Sequence, residues 1–321
     1  MIYNVIIWVK DGTIAMITVE NLTKRYGRNL SPALKDISFQ IDDGEIVGFA
    51  GLNGAGKTTT LRIISGIIVP TSGSVKIDGN DIVREKIAAS SNLAIVPELP
   101  NFDITQKAIP LLRYYAGFYG MQREEADQRI EMLLKNFGIW EYRNRKLRTY
   151  SQGMKKRFAI VSALPSDPKN ILFDETLNGL DAEGVRNIRN LMLEQKKQGK
   201  AVFLSSHILS ELQNIADRVI IIKKGSIVKI LDRSDIPNLG ASSIRIMVSN
   251  PDSKFNEILE QYGTVQQSGS EIQITDLKVS SDKAKLLNGE LAKAGYIVTK
   301  YDLSGEGLEE YFLSLVRDSY E

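Results

Sequence analysis

The sequence predicts an α/β fold in two parts, a larger domain over 16–235 and a smaller one over 236–321, and three observations carry that reading. The apolar run Glu45-Ile46-Val47-Gly48-Phe49-Ala50 passes into Gly51-Leu52-Asn53-Gly54-Ala55-Gly56-Lys57-Thr58-Thr59 and then into Leu61-Arg62-Ile63-Ile64: a strand, a glycine-rich loop and a helix start. A second buried-strand run, Asn170-Ile171-Leu172-Phe173, ends in the adjacent carboxylates Asp174 and Glu175. Beyond Ile236-Pro237-Asn238-Leu239-Gly240 the pattern restarts as strand, helix, hairpin, helix and strand, with a trailing helix.

The elements follow in order. Residues 1–15 form an N-terminal extension or an added edge strand. Their apolar run Ile2-Tyr3-Asn4-Val5-Ile6-Ile7-Trp8-Val9 is too short to span a bilayer and lacks the basic region that precedes a signal peptide's core. Ile17-Thr18-Val19-Glu20-Asn21-Leu22 and Leu34-Lys35-Asp36-Ile37-Ser38-Phe39-Gln40-Ile41 alternate as half-buried strands. Asp42-Asp43-Gly44 turns into the loop-bearing strand, and a helix runs over 57–66. Ser74-Val75-Lys76-Ile77 and Leu93-Ala94-Ile95-Val96 read as further strands. The second stops at Pro97-Glu98-Leu99-Pro100, where proline bars continuation, so Glu98 stands in a loop at a strand end.

A helical insert follows over about 99–165. Leu111, Leu112, Tyr115, Phe118 and Tyr119, then Ile130, Leu133, Leu134 and Phe137, recur at three-four spacing as core faces. At its end Tyr150-Ser151-Gln152-Gly153-Met154-Lys155 places a hydroxyl and a glycine at a helix start, which reads as an N-cap open to an anion. Asn178-Gly179-Leu180-Asp181 opens an amphipathic helix to about Lys197. The strand Ala201-Val202-Phe203-Leu204-Ser205-Ser206 leads to His207, the only histidine, and a hairpin over 216–230 closes the domain. In the smaller domain the strands are 243–249 and 296–302, the helices 253–262, 280–294 and 308–317, and a hairpin turns at 268–270. This is the β-α-β-β-α-β order of a ferredoxin-like unit. It carries no cluster of titratable groups, so a regulatory or dimer-supporting role is expected of it rather than a second active site.

Composition narrows the possibilities. In 321 residues, 41 basic and 39 acidic side chains give a formal charge of +2, which leaves no electrostatic footprint for nucleic acid. The absence of cysteine excludes disulfides and thiol chemistry. No run approaches the ~20 apolar residues that a membrane-spanning helix needs.

The loop carries the chemistry. With so little side-chain bulk, the backbone N–H groups of Asn53, Gly54, Ala55 and Gly56 can curl around phosphates, and the positive end of the following helix adds to the field. Lys57 supplies a point charge for β- and γ-phosphates, and the Thr58 hydroxyl can ligate magnesium. On a strand Asp174 and Glu175 face opposite sides, so one is expected in the magnesium shell and the other as base to the attacking water. His207 at a strand tip is placed to donate to the γ-phosphate, and Tyr26, upstream of the loop, to stack on a base.

These pieces in this order resemble the nucleotide-binding subunit of an ATP-binding cassette (ABC) transporter over about 17–232. The resemblance implies a P-loop NTPase cassette with a helical subdomain, binding ATP and Mg2+. It makes Tyr26 the adenine-stacking aromatic, 51–59 with Thr59 the Walker A loop, and 151–155 with Ser151 and Gly153 the signature motif. Asp174 becomes the Walker B aspartate, Glu175 the catalytic base, Asp181 the end of the D-loop and His207 the switch histidine. It also implies that two cassettes meet head to tail as a homodimer or heterodimer, on membrane-spanning subunits at the inner face of the cell membrane, with no nucleic acid.

Three positions depart from the family pattern. Glu98 stands where glutamine is usual, as a further magnesium ligand. The signature reads Ser-Gln-Gly-Met, and Thr176-Leu177 follows Glu175; such variants resemble the antibiotic and multidrug exporter branch. The alternatives are a soluble ABC ATPase on ribosomes or DNA, and a weakly hydrolysing nucleotide sensor.

Overall fold

The computed structural model describes residues 16–27, 30–98, 101–236, 241–248, 251–268, 271–275, 277–279, 281–305 and 308–317; the extension read at 1–15 lies outside them. The chain divides into two compact units, 1–230 and 231–321.

The first unit opens with β1 (Ile17–Lys24), β2 (Leu34–Ile41) and β3 (Ile46–Ala50), followed by α1 (Lys57–Ile64), β4 (Ser72–Ile77), β5 (Asn80–Asp81), α2 (Lys86–Ser91) and β6 (Leu93–Val96). The insert holds α3 (Ala108–Phe118), α4 (Arg123–Asn136) and α5 (Gln152–Ala163), and the core resumes as β7 (Asn170–Asp174), α6 (Ala182–Lys197), β8 (Ala201–Ser206), α7 (Leu209–Ile215), β9 (Arg218–Lys223) and β10 (Ser226–Asp232). Elements β5, α2 and α7 had no signal in the sequence, being two to seven residues long. The insert is not one helical run. Its backbone leaves the helix at Gly120 and Gly138, both with positive φ, and passes through 3-10 turns at Trp140–Tyr142 and Leu147–Thr149.

Two sheets share one core. The antiparallel sheet has strand order β2-β1-β4-β5, and the six-stranded sheet has β10-β9-β3-β8-β7-β6. Between them Phe39, Phe49 and Phe203 form an aromatic triangle, with centroids 5.2–5.8 Å apart, amid Ile17, Val19, Ile41 and Val75. Burying such rings is the large apolar term that holds the sheets together. In the six-stranded sheet β3 pairs parallel with β8 and β9, and β7 with β6 and β8. The register sets Phe49 and Asp174 on either side of Ser205, so the C-terminal strand ends lie level. Open α/β sheets bind ligands at that edge.

The second unit contains β11 (Ala241–Val248), α8 (Ser253–Glu260), β12 (Thr264–Ser268), β13 (Glu271–Thr275), α9 (Ser281–Lys293), β14 (Val298–Gly305) and α10 (Leu308–Arg317). Its sheet runs β12-β13-β11-β14 with antiparallel neighbours, the ferredoxin-like arrangement. Ile244, Ile246, Ile272 and Ile274 pack on Phe255, Leu259 and Leu287, so the inward face of the sheet meets α8 and α9.

Candidate functional site

Glycine is required in the loop on steric grounds. Gly56 has φ 115°, and a Cβ there would lie 2.7 Å from Leu34 Cδ2 and 2.9 Å from the Ala33 carbonyl oxygen. Gly51 is closed by the Ile222 carbonyl, 2.7 Å from where a Cβ would sit. The chain is thereby forced tightly around the start of α1. No side chain caps that helix, so its first N–H groups are left for an anion.

Lys57, almost fully buried, donates to the carbonyl of Gly51 (2.6 Å), approaches that of Leu52 (3.4 Å), and pairs with Glu175 Oε1 at 3.0 Å. Thr58 Oγ1 lies 3.3 Å from Asp174 Oδ1. Glu175 departs from the strand alternation expected of it. β7 ends at Asp174, and Glu175 takes φ 47°, a left-handed turn that brings its carboxylate round to the loop beside Lys57. Its other oxygen accepts from Asn178 Nδ2 (2.9 Å) and meets His207 Nδ1 at 2.7 Å. Burial pushes the Glu175 carboxyl up, but Lys57, Asn178 and His207 together hold it below the usual carboxylate range.

Lys57, Thr58, Glu175, Asn178 and His207 converge on a cavity of about 360 Å3, lined also by Ala33, Asn53, Gly54, Gly56, Thr59 and Glu98, while Asp174 and Ala55 are not among its lining residues. Tyr26 is exposed at its rim, with its hydroxyl 3.4 Å from Thr59 Oγ1 and Lys24 Nζ 5.3 Å from its ring. Ser151, Gly153 and Asp181 do not line the cavity. Ser151 caps α5 by accepting from the Met154 N–H, and Asp181 caps α6 by accepting from Gly184.

Among the described residues no three His, Cys, Asp or Glu side chains form a metal cage. A magnesium ion nonetheless suits the donors present. Thr58 and Asp174 offer hard oxygens 3.3 Å apart, Glu98 lines the same cavity, and phosphates and water complete such a shell.

Two contributors were missed in the sequence. Asn178 was read as part of a turn. Ser205 was read only as a strand residue; it is fully buried, and its hydroxyl touches both acidic residues. A hydroxyl inside an otherwise apolar strand was the available signal.

The ABC transporter family matches residues 34–178. The chain is 36% identical over 217 residues to the ABC transporter ATP-binding protein NatA of Bacillus subtilis, covering 66% of this chain and 88% of that protein. It is 30% identical over 312 residues to the bacitracin transport ATP-binding protein BcrA of Bacillus licheniformis, covering 94% of this chain and 97% of the relative. A bacterial ABC transporter cassette solved as a dimer superposes with TM-score 0.63 at 27% identity, covering 68% of this chain and 99% of its own.

Proposed function

The chain belongs to the ABC transporter family, as an ATP-binding and hydrolysing subunit, and from that premise we propose that it drives export through separate membrane-spanning subunits. The observation that carries the reading is the convergence of Lys57, Thr58, Glu98, Glu175 and His207 on one cavity at the sheet's C-terminal edge. Residue-level roles follow from position. The uncapped start of α1 and Lys57 hold the β- and γ-phosphates, and Tyr26 stacks on the adenine. Water attacks the γ-phosphorus in line, its proton passes to Glu175, and the bond to the ADP oxygen breaks. His207 orients Glu175 through Nδ1 and, with both ring nitrogens protonated, donates from Nε2 to the γ-phosphate. Thr58, Asp174 and Glu98 would hold magnesium, which when bound would neutralise charge on the phosphates.

The site is half of a site. Ser151 and Gly153 lie outside the cavity, so a second cassette brings its signature helix to the phosphate from across a dimer interface. No helix of the described residues is long and apolar enough to cross a membrane. Attachment to the inner face of the cell membrane therefore runs through the partner subunits. The similarity over 94% of this chain to BcrA, a bacitracin transport ATP-binding protein, supports the transport reading, and export is our proposal for its direction.

The test is purification of the tagged chain from detergent-solubilised membranes, with ATP hydrolysis measured in the same preparation. Membrane-spanning proteins should co-purify, and their addition should stimulate the ATPase. Recovery with ribosomes or nucleoid DNA instead would overturn the transport reading, and negligible magnesium-dependent hydrolysis would favour a nucleotide sensor.

A further inference from the structure

Ser205 does not line the site's cavity, yet it joins the two acidic residues that the site depends on. It sits in β8 between β7 and β3, in register with Asp174 on one side and Phe49 on the other, and is completely buried. Its hydroxyl donates to Asp174 Oδ1 at 2.7 Å and accepts from the Glu175 N–H at 3.0 Å, while its carbonyl oxygen lies 3.2 Å from that same N–H. A serine hydroxyl has one proton and two lone pairs, so giving the proton to the carboxylate leaves a lone pair for the amide. The two contacts therefore specify each other.

What they fix is specific. Among the described residues, the Asp174 carboxylate makes its hydrogen bonds to two hydroxyls, those of Ser205 and Thr58. Glu175 occupies a left-handed backbone conformation, sparsely populated for a residue with a side chain, and its N–H is the group that Ser205 grips. Without the hydroxyl Asp174 can rotate away from Thr58, and the Glu175 N–H keeps only its longer 3.2 Å contact to the Ser205 carbonyl, which loosens the turn that aims the Glu175 carboxylate at Lys57.

We infer that Ser205 is a positioning residue for both halves of the hydrolytic centre, setting the metal-facing carboxylate of Asp174 and the backbone turn of Glu175 through one buried hydroxyl. The inference rests on the ATPase reading and adds to it a buried residue that does not line the cavity.

The experiment compares Ser205→Thr with Ser205→Val, which match in shape and differ by the hydroxyl, alongside Ser205→Ala in case the added methyl is not tolerated. Calorimetry with a non-hydrolysed ATP analogue, with and without magnesium, gives the factor by which the metal tightens nucleotide binding. Outer partners of metal ligands are typically worth 10–100-fold in metal affinity. That factor should therefore fall by about tenfold in Ser205→Val and Ser205→Ala while metal-free binding stays within about twofold. In turnover with magnesium, kcat should fall by about tenfold or more and KM for ATP should rise with the weakened magnesium-dependent binding, and Ser205→Thr should restore both. Equal behaviour of the Thr and Val variants, or an unchanged magnesium factor in Ser205→Ala, would overturn the inference. A wild-type chain that binds no ATP would sink the ATPase reading instead.

Discussion

In the proposed mechanism Lys57 binds phosphate and Glu175 serves as the base, and in this structure the two are paired with each other. The pair measures 3.0 Å with side-chain exposures of 5% and 7%, and the remaining Lys57 contacts go to the Gly51 and Leu52 carbonyls. A phosphate that recruits Lys57 must take it from Glu175. Glu175→Gln keeps the shape and removes the charge, leaving a buried ammonium among neutral acceptors. It also turns an amide nitrogen toward Asn178 or Lys57, donor to donor. Breaking a buried pair from one side is worth ~3–5 kcal/mol, and the amide oxygen that still accepts places this case near ~3 kcal/mol. For a unit of this size that corresponds to a melting temperature lower by about 6–12 °C in the nucleotide-free variant. Phosphates then supply the missing negative charge. Metal-free ADP should bind the variant about 10–100-fold more tightly than wild type and raise its melting temperature further, while turnover drops by ~10²–10⁴ with the base gone. Differential scanning calorimetry and titration with ADP in chelator read both effects. A variant that melts at or above wild type, with the same ADP Kd, would show that the pair restrains nothing.

Three further outcomes follow from single contacts. Tyr26→Ala should weaken ATP about tenfold, the usual worth of one stacked base, and leave tripolyphosphate binding unchanged; competition against a fluorescent nucleotide separates the two. Gly56→Ala forces a Cβ to 2.9 Å from the Ala33 carbonyl at φ 115°, so nucleotide binding should vanish and the melting temperature fall, both read in one thermal-shift experiment. Asp167 sits at φ 53° against Lys200 Nζ (2.6 Å) and Arg129, and although burial pushes its carboxyl up, those cations hold it below the usual range. A lowered folded value contributes stability above the unfolded value, and that stability is lost as pH falls through the folded one. Asp167→Asn should therefore destabilise at neutral pH, and its melting temperature should converge on wild type upon acidification; a gap independent of pH would refute the assignment.

How far the site was legible depended on whether a residue interrupts a pattern. The 51–59 loop, Asp174, Glu175 and His207 all stand where an apolar strand run stops, and a strand end in a parallel sheet is an edge that binds ligands, so sequence order alone located them. Glu98 was legible for the same reason, since a proline ends its strand. Ser205 ends the apolar run 201–204, but that says only that a hydroxyl is there and not what it meets. In a strand buried on both faces, alternation carries no information about which neighbour a hydroxyl meets, because that is decided by the register between β7 and β8, a contact between segments 31 residues apart. The orientation of Glu175 was hidden for a different reason. Strand alternation sends it away from Asp174, and only the left-handed turn immediately after β7 reverses it, a backbone state that glutamate does not announce as glycine would. The two facts belong together, for the residue that the pattern could not place is the one that hydrogen-bonds the turn that the pattern could not foresee.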